Sequence, residues 1–159
     1  MELLNFITVY SILTISILGY GFLFSKVFTK YNNFQDNSIS LGYIGIFGIF
    51  FSIIISYLTN LVFPHNNLHN LIYILFGLIF FFIFYKKKHK KFKIKYFLFS
   101  YLISFFAIFY FKSHDDFSYY HLSLINNIVE NKIEFGISHF DIAFNHVSSL
   151  FYFHSLFKT

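Results

Sequence analysis

The stretch SLGYIGIFGIFFSIIISYLTNLVF, residues 40–63, holds no Asp, Glu, Lys, Arg or His. A bilayer's hydrocarbon core is about 30 Å thick and takes about 20 helical residues to cross. Backbone groups inside lipid must be paired within the segment, so an apolar run of this length reads as a helix. Its β-branched residues would favour a strand in water, but no alternation of apolar and polar residues accompanies them. Three more runs of this kind flank it: Leu4–Ser25, Leu68–Tyr85 and Tyr96–Phe111, uncharged except for His69. The last two are shorter and need flanking aromatics and lysine stems to reach the interface. The reading is an all-α polytopic membrane protein, with about four transmembrane helices in residues 1–111.

Composition points the same way. Hydrophobic residues make up 57% of the 159 residues and charged residues 12%, against about 25% charged in a soluble domain. There is no cysteine, so no disulfide framework is expected. All twelve basic residues are Lys, and Phe, Ile, Asn and Tyr are abundant, as AT-rich codon usage would produce. The opening MELLN carries Glu2 and no Lys, and the apolar run behind it exceeds the ~7–15 residues of a signal peptide core. The first run is therefore read as a retained span.

Lysine placement sets the expected orientation. The run KKKHKKFKIK, Lys86–Lys95, holds seven Lys between the third and fourth apolar runs. With Lys26, Lys30 and Asp36 of the first loop, that side holds nine lysines and one acid, a net of +8. The other side, with Glu2 and the tail from Lys112, holds three lysines and six acids, a net of −3. Lys-rich loops stay cytoplasmic, which places the N-terminus and the tail outside. Seven Lys beside a span act as a topology anchor in contact with membrane lipid; no nucleic acid partner is expected.

In the second run, Gly45, Gly48, Ser52 and Ser56 lie near one helix face, below Gly42. Small residues there let another helix approach closely, and packing within the chain is the expected use. Pro64, the only proline, ends this helix. After Phe111 the character changes. The tail, residues 112–159, is read as an extracytoplasmic loop with an amphipathic helix over about 117–131. Leu124, Ile125, Ile128 and Val129 form its apolar stripe, facing lipid or the bundle, and Asn126, Asn127, Glu130 and Asn131 its polar face. Gly136 is the expected breaker, and Val147–Phe157 begins a partial further helix too short to cross. The chain is expected to continue into further spans in a longer protein.

The candidate chemistry lies at the start of this tail. Asp115 and Asp116 sit where a span ends and a helix begins, with His114, Tyr120 and His121 nearby. Asp is a preferred N-cap, so one of the two acids needs no further role. The other can serve as a general base on an acceptor hydroxyl, since a carboxylate near the interface has its pKa raised. Alternatively Asp115, Asp116 and His114 hold a divalent cation such as Mg²⁺ or Mn²⁺. The histidines His65, His69, His139, His146 and His154 have no defined spacing and are read as interfacial polar residues.

The segment HDDFSYYHLSLINNIVENKIEFGISHF, followed by SSLFYFHSLF, resembles a bacterial family of polytopic membrane proteins of the GT-C glycosyltransferase type. Its pattern of HDDF-x-YYH, K-I-x-F-G and SSLF matches His114, Asp115, Asp116, Phe117, Tyr119, Tyr120 and His121, then Lys132, Ile133, Phe135 and Gly136, then Ser148–Phe151. The resemblance implies a bacterial cytoplasmic membrane protein and a polyprenyl-phosphate-linked sugar as donor. It implies that Asp115 or Asp116 is the acidic residue of the extracytoplasmic loop, with His114, Tyr120 and His121 binding substrate. Sugar would pass into surface polysaccharide or lipid. Two departures stand out: family members are far longer, and the acidic loop here follows the fourth apolar run where many place it after the first. The 159-residue chain alone is thus expected to be inactive. The competing reading is a small non-catalytic membrane protein packed against a partner membrane subunit.

Overall fold

A computed structural model describes residues 2–32, 40–88, 94–110, 121–136 and 148–158. Every regular element among them is an α-helix. They are α1 (Glu2–Asn32), α2 (Leu41–Asn60), α3 (Asn67–Lys88), α4 (Ile94–Tyr110), α5 (Leu122–Glu130) and α6 (Ser149–Ser155). Three of them, α1, α2 and α3, are long and apolar enough to cross a membrane. α4 carries a shorter apolar stretch, Phe97–Ile108. Large apolar side chains such as Phe50, Phe76, Phe82, Phe99 and Phe106 are exposed on these helices. In a helix bundle surrounded by lipid such faces carry no penalty.

The chain forms two compact units. The first comprises Met1–Phe51 and Ile74–Lys112. Its core is Leu18, Phe22 and Ile44, with Leu41, Phe81, Phe84, Tyr85 and Phe97 packed around it. The helices approach until backbones touch. A Cβ at Gly19 would meet the carbonyl oxygen of Gly77, one at Gly21 that of Ile44, and one at Gly48 that of Ile17. Close approach maximises dispersion contacts where lipid removes the hydrophobic drive between helices. The expected packing of Gly48 within the chain is therefore found; Gly19, Gly21 and Gly77 share the task. Where α1 passes α4, the Tyr10 and Tyr101 rings lie 4.8 Å apart and the Ser11 and Tyr101 hydroxyls are hydrogen-bonded at 2.7 Å. α1 runs seven residues past Ser25, and the Lys26 ammonium lies 4.9 Å from the centre of the Phe84 ring, a cation–π contact.

The second unit comprises Ser52–Tyr73 and Ser113–Thr159. α2 ends at Asn60, four residues before Pro64, and the Asn66 side chain accepts from the His69 N–H at 3.0 Å to start α3. The stripe residues Leu124, Ile125 and Ile128 of α5 are buried. They pack against Phe151 and Tyr152 of α6, with Tyr57 and Ile133 alongside. So within this unit the stripe faces protein. Asn126 departs from the expected polar face: its side-chain oxygen is buried and accepts no hydrogen bond. Gly136 takes a φ of 83°, which a residue with a Cβ rarely adopts, and turns the chain after α5. α6 is capped by the Ser148 hydroxyl, which accepts from the Leu150 N–H at 3.2 Å. At seven residues it is too short to cross a bilayer.

Candidate functional site

His114, Asp115, Asp116 and Tyr120 lie outside the described residues. Of the residues singled out with them, His121 is described, directly ahead of α5. Its ring lies 4.8 Å from that of Phe151 on α6, tilted by 53°. His154, a turn further along α6, is exposed yet titrates below its ordinary value, held down by burial and then by the charge of His121. The fold thus brings His121 and His154 together although 33 positions separate them. Among the described residues, no group of three or more His, Cys, Asp and Glu side chains is arranged to hold a metal ion.

The organising feature of this unit is a buried polar hub that sequence reasoning passed over. It is built from Asn60, the PHNNLHN turn and Ser155. Asn60, His65, Asn70 and Ser155 have no exposed surface. Helix C-termini leave carbonyls without partners, and the two tail helices meet theirs here. The Asn60 Nδ2 donates to the carbonyls of Ile128 at 3.2 Å and Asn131 at 3.1 Å, at the end of α5. The His65 N–H adds a bond to the Ile128 carbonyl at 3.1 Å. The Asn70 Nδ2 donates to the carbonyls of Ser155 at 2.7 Å and Lys158 at 2.8 Å, at the end of α6. One amide thus caps each tail helix.

His65 sits between two hydroxyls. Its Nδ1 is 2.7 Å from the Ser155 Oγ and its Nε2 is 3.1 Å from the Thr59 Oγ1. The Ser155 hydroxyl donates its single proton to the Tyr152 carbonyl at 2.7 Å. The Thr59 hydroxyl likewise donates to the Ile55 carbonyl at 2.9 Å, so both oxygens meet the ring as acceptors. The His69 ring stacks on His65 with centroids 4.6 Å apart and planes within 9°. Burial, and then His69, push the His65 ring down to about 4 from 6.5. His65 is therefore a structural neutral imidazole, a correction to its reading as an interfacial polar residue. The missed signal was local density: Asn60, His65, Asn66, Asn67, His69 and Asn70 cluster within eleven positions of an apolar chain.

Beside the hub lies a cavity of about 260 Å³. Tyr57 and Tyr152, their rings stacked at 4.0 Å, form an aromatic wall. Asn60, Asn127, Lys132 and Glu134 add amide, ammonium and carboxylate groups. The Asn127 Nδ2 donates to Glu134 at 3.4 Å, and its oxygen accepts from the Asn131 Nδ2 at 2.7 Å. The Asn60 Oδ1 is buried and has no donor. Leu124, Ile128, Ile133 and Phe135 supply the other side chains of the lining, so carbon dominates the wall and a few donors and acceptors interrupt it. Comparison with known protein families, with curated proteins and with solved structures finds no match to this chain.

Proposed function

We propose that this chain serves a GT-C-like glycosyltransferase that moves a sugar from a polyprenyl-phosphate carrier at the outer face of the cytoplasmic membrane. The observation that supports the reading is the cavity of the second unit, where the Tyr57 and Tyr152 rings stand beside the amides of Asn60 and Asn127 and the charges of Lys132 and Glu134. In sequence, His114, Asp115 and Asp116 lie shortly ahead of His121 and α5. In this reading α4 is the fourth span, and the Lys-rich loops are cytoplasmic. One of Asp115 and Asp116 acts as general base or cation ligand, with Mg²⁺ or Mn²⁺ as the cation, and the other orients the following helix. His114, Tyr120 and His121 would contact the substrate. The direct test is Asp115→Asn and Asp116→Asn in cells that make the protein natively, with its membrane level and the surface glycan measured together. Normal glycan at normal protein level in both variants would refute the enzyme reading.

Orientation has its own test. Without native cysteines, single substitutions Lys90→Cys and Ser113→Cys report one position each. An impermeant thiol reagent applied to intact cells should label position 113 and spare position 90, while both label after lysis. The reverse pattern would place the tail in the cytoplasm and remove the donor from reach.

A further inference from the structure

α6 is held at both edges by histidines. On one edge His65, from the turn between α2 and α3, bonds the Ser155 hydroxyl at 2.7 Å and is covered by the stacked His69 ring. On the other, His154 of α6 feels the charge of His121 directly ahead of α5, and the His121 ring lies 4.8 Å from that of Phe151 on α6. We propose that these two histidine pairs are an acid-sensitive latch: protonation of His65 or His154 releases α6, and with it α5, from the α2–α3 turn when the surrounding medium turns acidic. That this medium is the outer compartment rests on the reading above; the docking equilibrium does not.

The geometry makes the latch directional. A protonated His65 would carry its charge in a site with no exposed surface, parallel to a second imidazole. Its ring neighbours there are the Thr59 and Ser155 hydroxyls and the Ser56 carbonyl; the carbonyl favours the charged form, but none carries a charge to balance it and burial outweighs it. Among the described residues the charge acting on His65 is His69 from α3, and that acting on His154 is His121 from α5. Tyr57 of α2, Tyr73 of α3 and Tyr152 of α6 stay neutral across the acid range. Glu130 at the end of α5 and Glu134 beyond it are exposed, as is Lys132, and Lys158 adds a further positive charge after α6. α6 has only seven residues, and such a helix does not persist without packing. Ser155 and Leu156, which follow the exposed His154, are fully buried, so packing on that side anchors α6.

The sign follows from linkage. His65 titrates near 4 when docked and near 6.5 when free. The released state therefore takes up the proton first. Docking is complete above about pH 6.5 and is lost as pH falls toward about 4.

The test uses the full chain in lipid nanodiscs, spin-labelled at Leu61→Cys and Leu150→Cys. Both positions are exposed and belong to the second unit. Pulsed dipolar spectroscopy should give one narrow distance at pH 7.5. The fraction at long, broad distances should rise roughly tenfold by pH 5. With His65→Gln the pH response should shrink to that of the second pair. Should that protein not dock at pH 7.5, His154→Gln, at an exposed position, carries the test through a lower release midpoint. An unchanged distance distribution from pH 7.5 to 5, or release midpoints equal to the parent in docked variants, overturns the latch. Normal glycan in the Asp115 and Asp116 variants with a working latch would overturn the transferase reading alone.

Discussion

Asp115→Asn, or Asp116→Asn, should lower surface glycan transfer by about 10²–10⁴-fold while the protein stays in the membrane at its usual level. The argument separates two jobs for adjacent acids. A carboxylate that only caps a helix contributes about 1 kcal/mol, and Asn caps nearly as well as Asp, so the capping position should tolerate the change. A carboxylate that takes a proton or holds a cation has no substitute in an amide. The pair should therefore split: one variant near-normal, the other inactive. Asp115 is the expected catalytic member and Asp116 the expected cap. Glycan measured per membrane-inserted molecule decides it. Equal and modest losses that track protein level would show two structural residues.

Asn70→Asp should release α6 and destabilise the second unit by about 3–5 kcal/mol, the usual effect of an uncompensated buried charge. The exchange keeps the shape of the side chain. It replaces a donor that spans two carbonyls, at 2.7 and 2.8 Å, with an acceptor facing acceptors. The site has no exposed surface in which to hydrate the new charge. Asn70→Leu, which leaves the same carbonyls without a donor but adds no charge, should cost about 1–3 kcal/mol. Because α5 buries Leu124, Ile125 and Ile128 partly on α6, both tail helices should become sensitive to protease together. Limited proteolysis in nanodiscs reads this directly. A tail as resistant in Asn70→Asp as in the parent would mean that the hub does not hold the helix.

The long apolar helices were legible because lipid imposes a rule that a single segment must satisfy alone. An uncharged run near 20 residues has no stable alternative to a helix there, and α2 and α3 fall within a few residues of the runs that announced them. Their ends were less legible, since aromatics and lysine stems extend a helix past its apolar run, as α1 shows beyond Ser25. The stripe on α5 was legible as a period near 3.6, but a period names a buried face and not its cover. α6 of the same unit was that cover.

The sequence by itself determined the helical character of the chain, the helices long and apolar enough to cross a membrane, and the turns at Pro64 and Gly136. Only tertiary structure decided what Asn60, His65 and Asn70 do. Neutral polar residues have no periodic signature, and each acts on partners that lie more than sixty positions away in sequence. Helices of nine and seven residues cannot hold themselves, so their form depends on distant amides that meet their open carbonyls. That dependence arises from a shared buried site, where an unpaired polar group is costly, and a buried site exists only once the chain has folded.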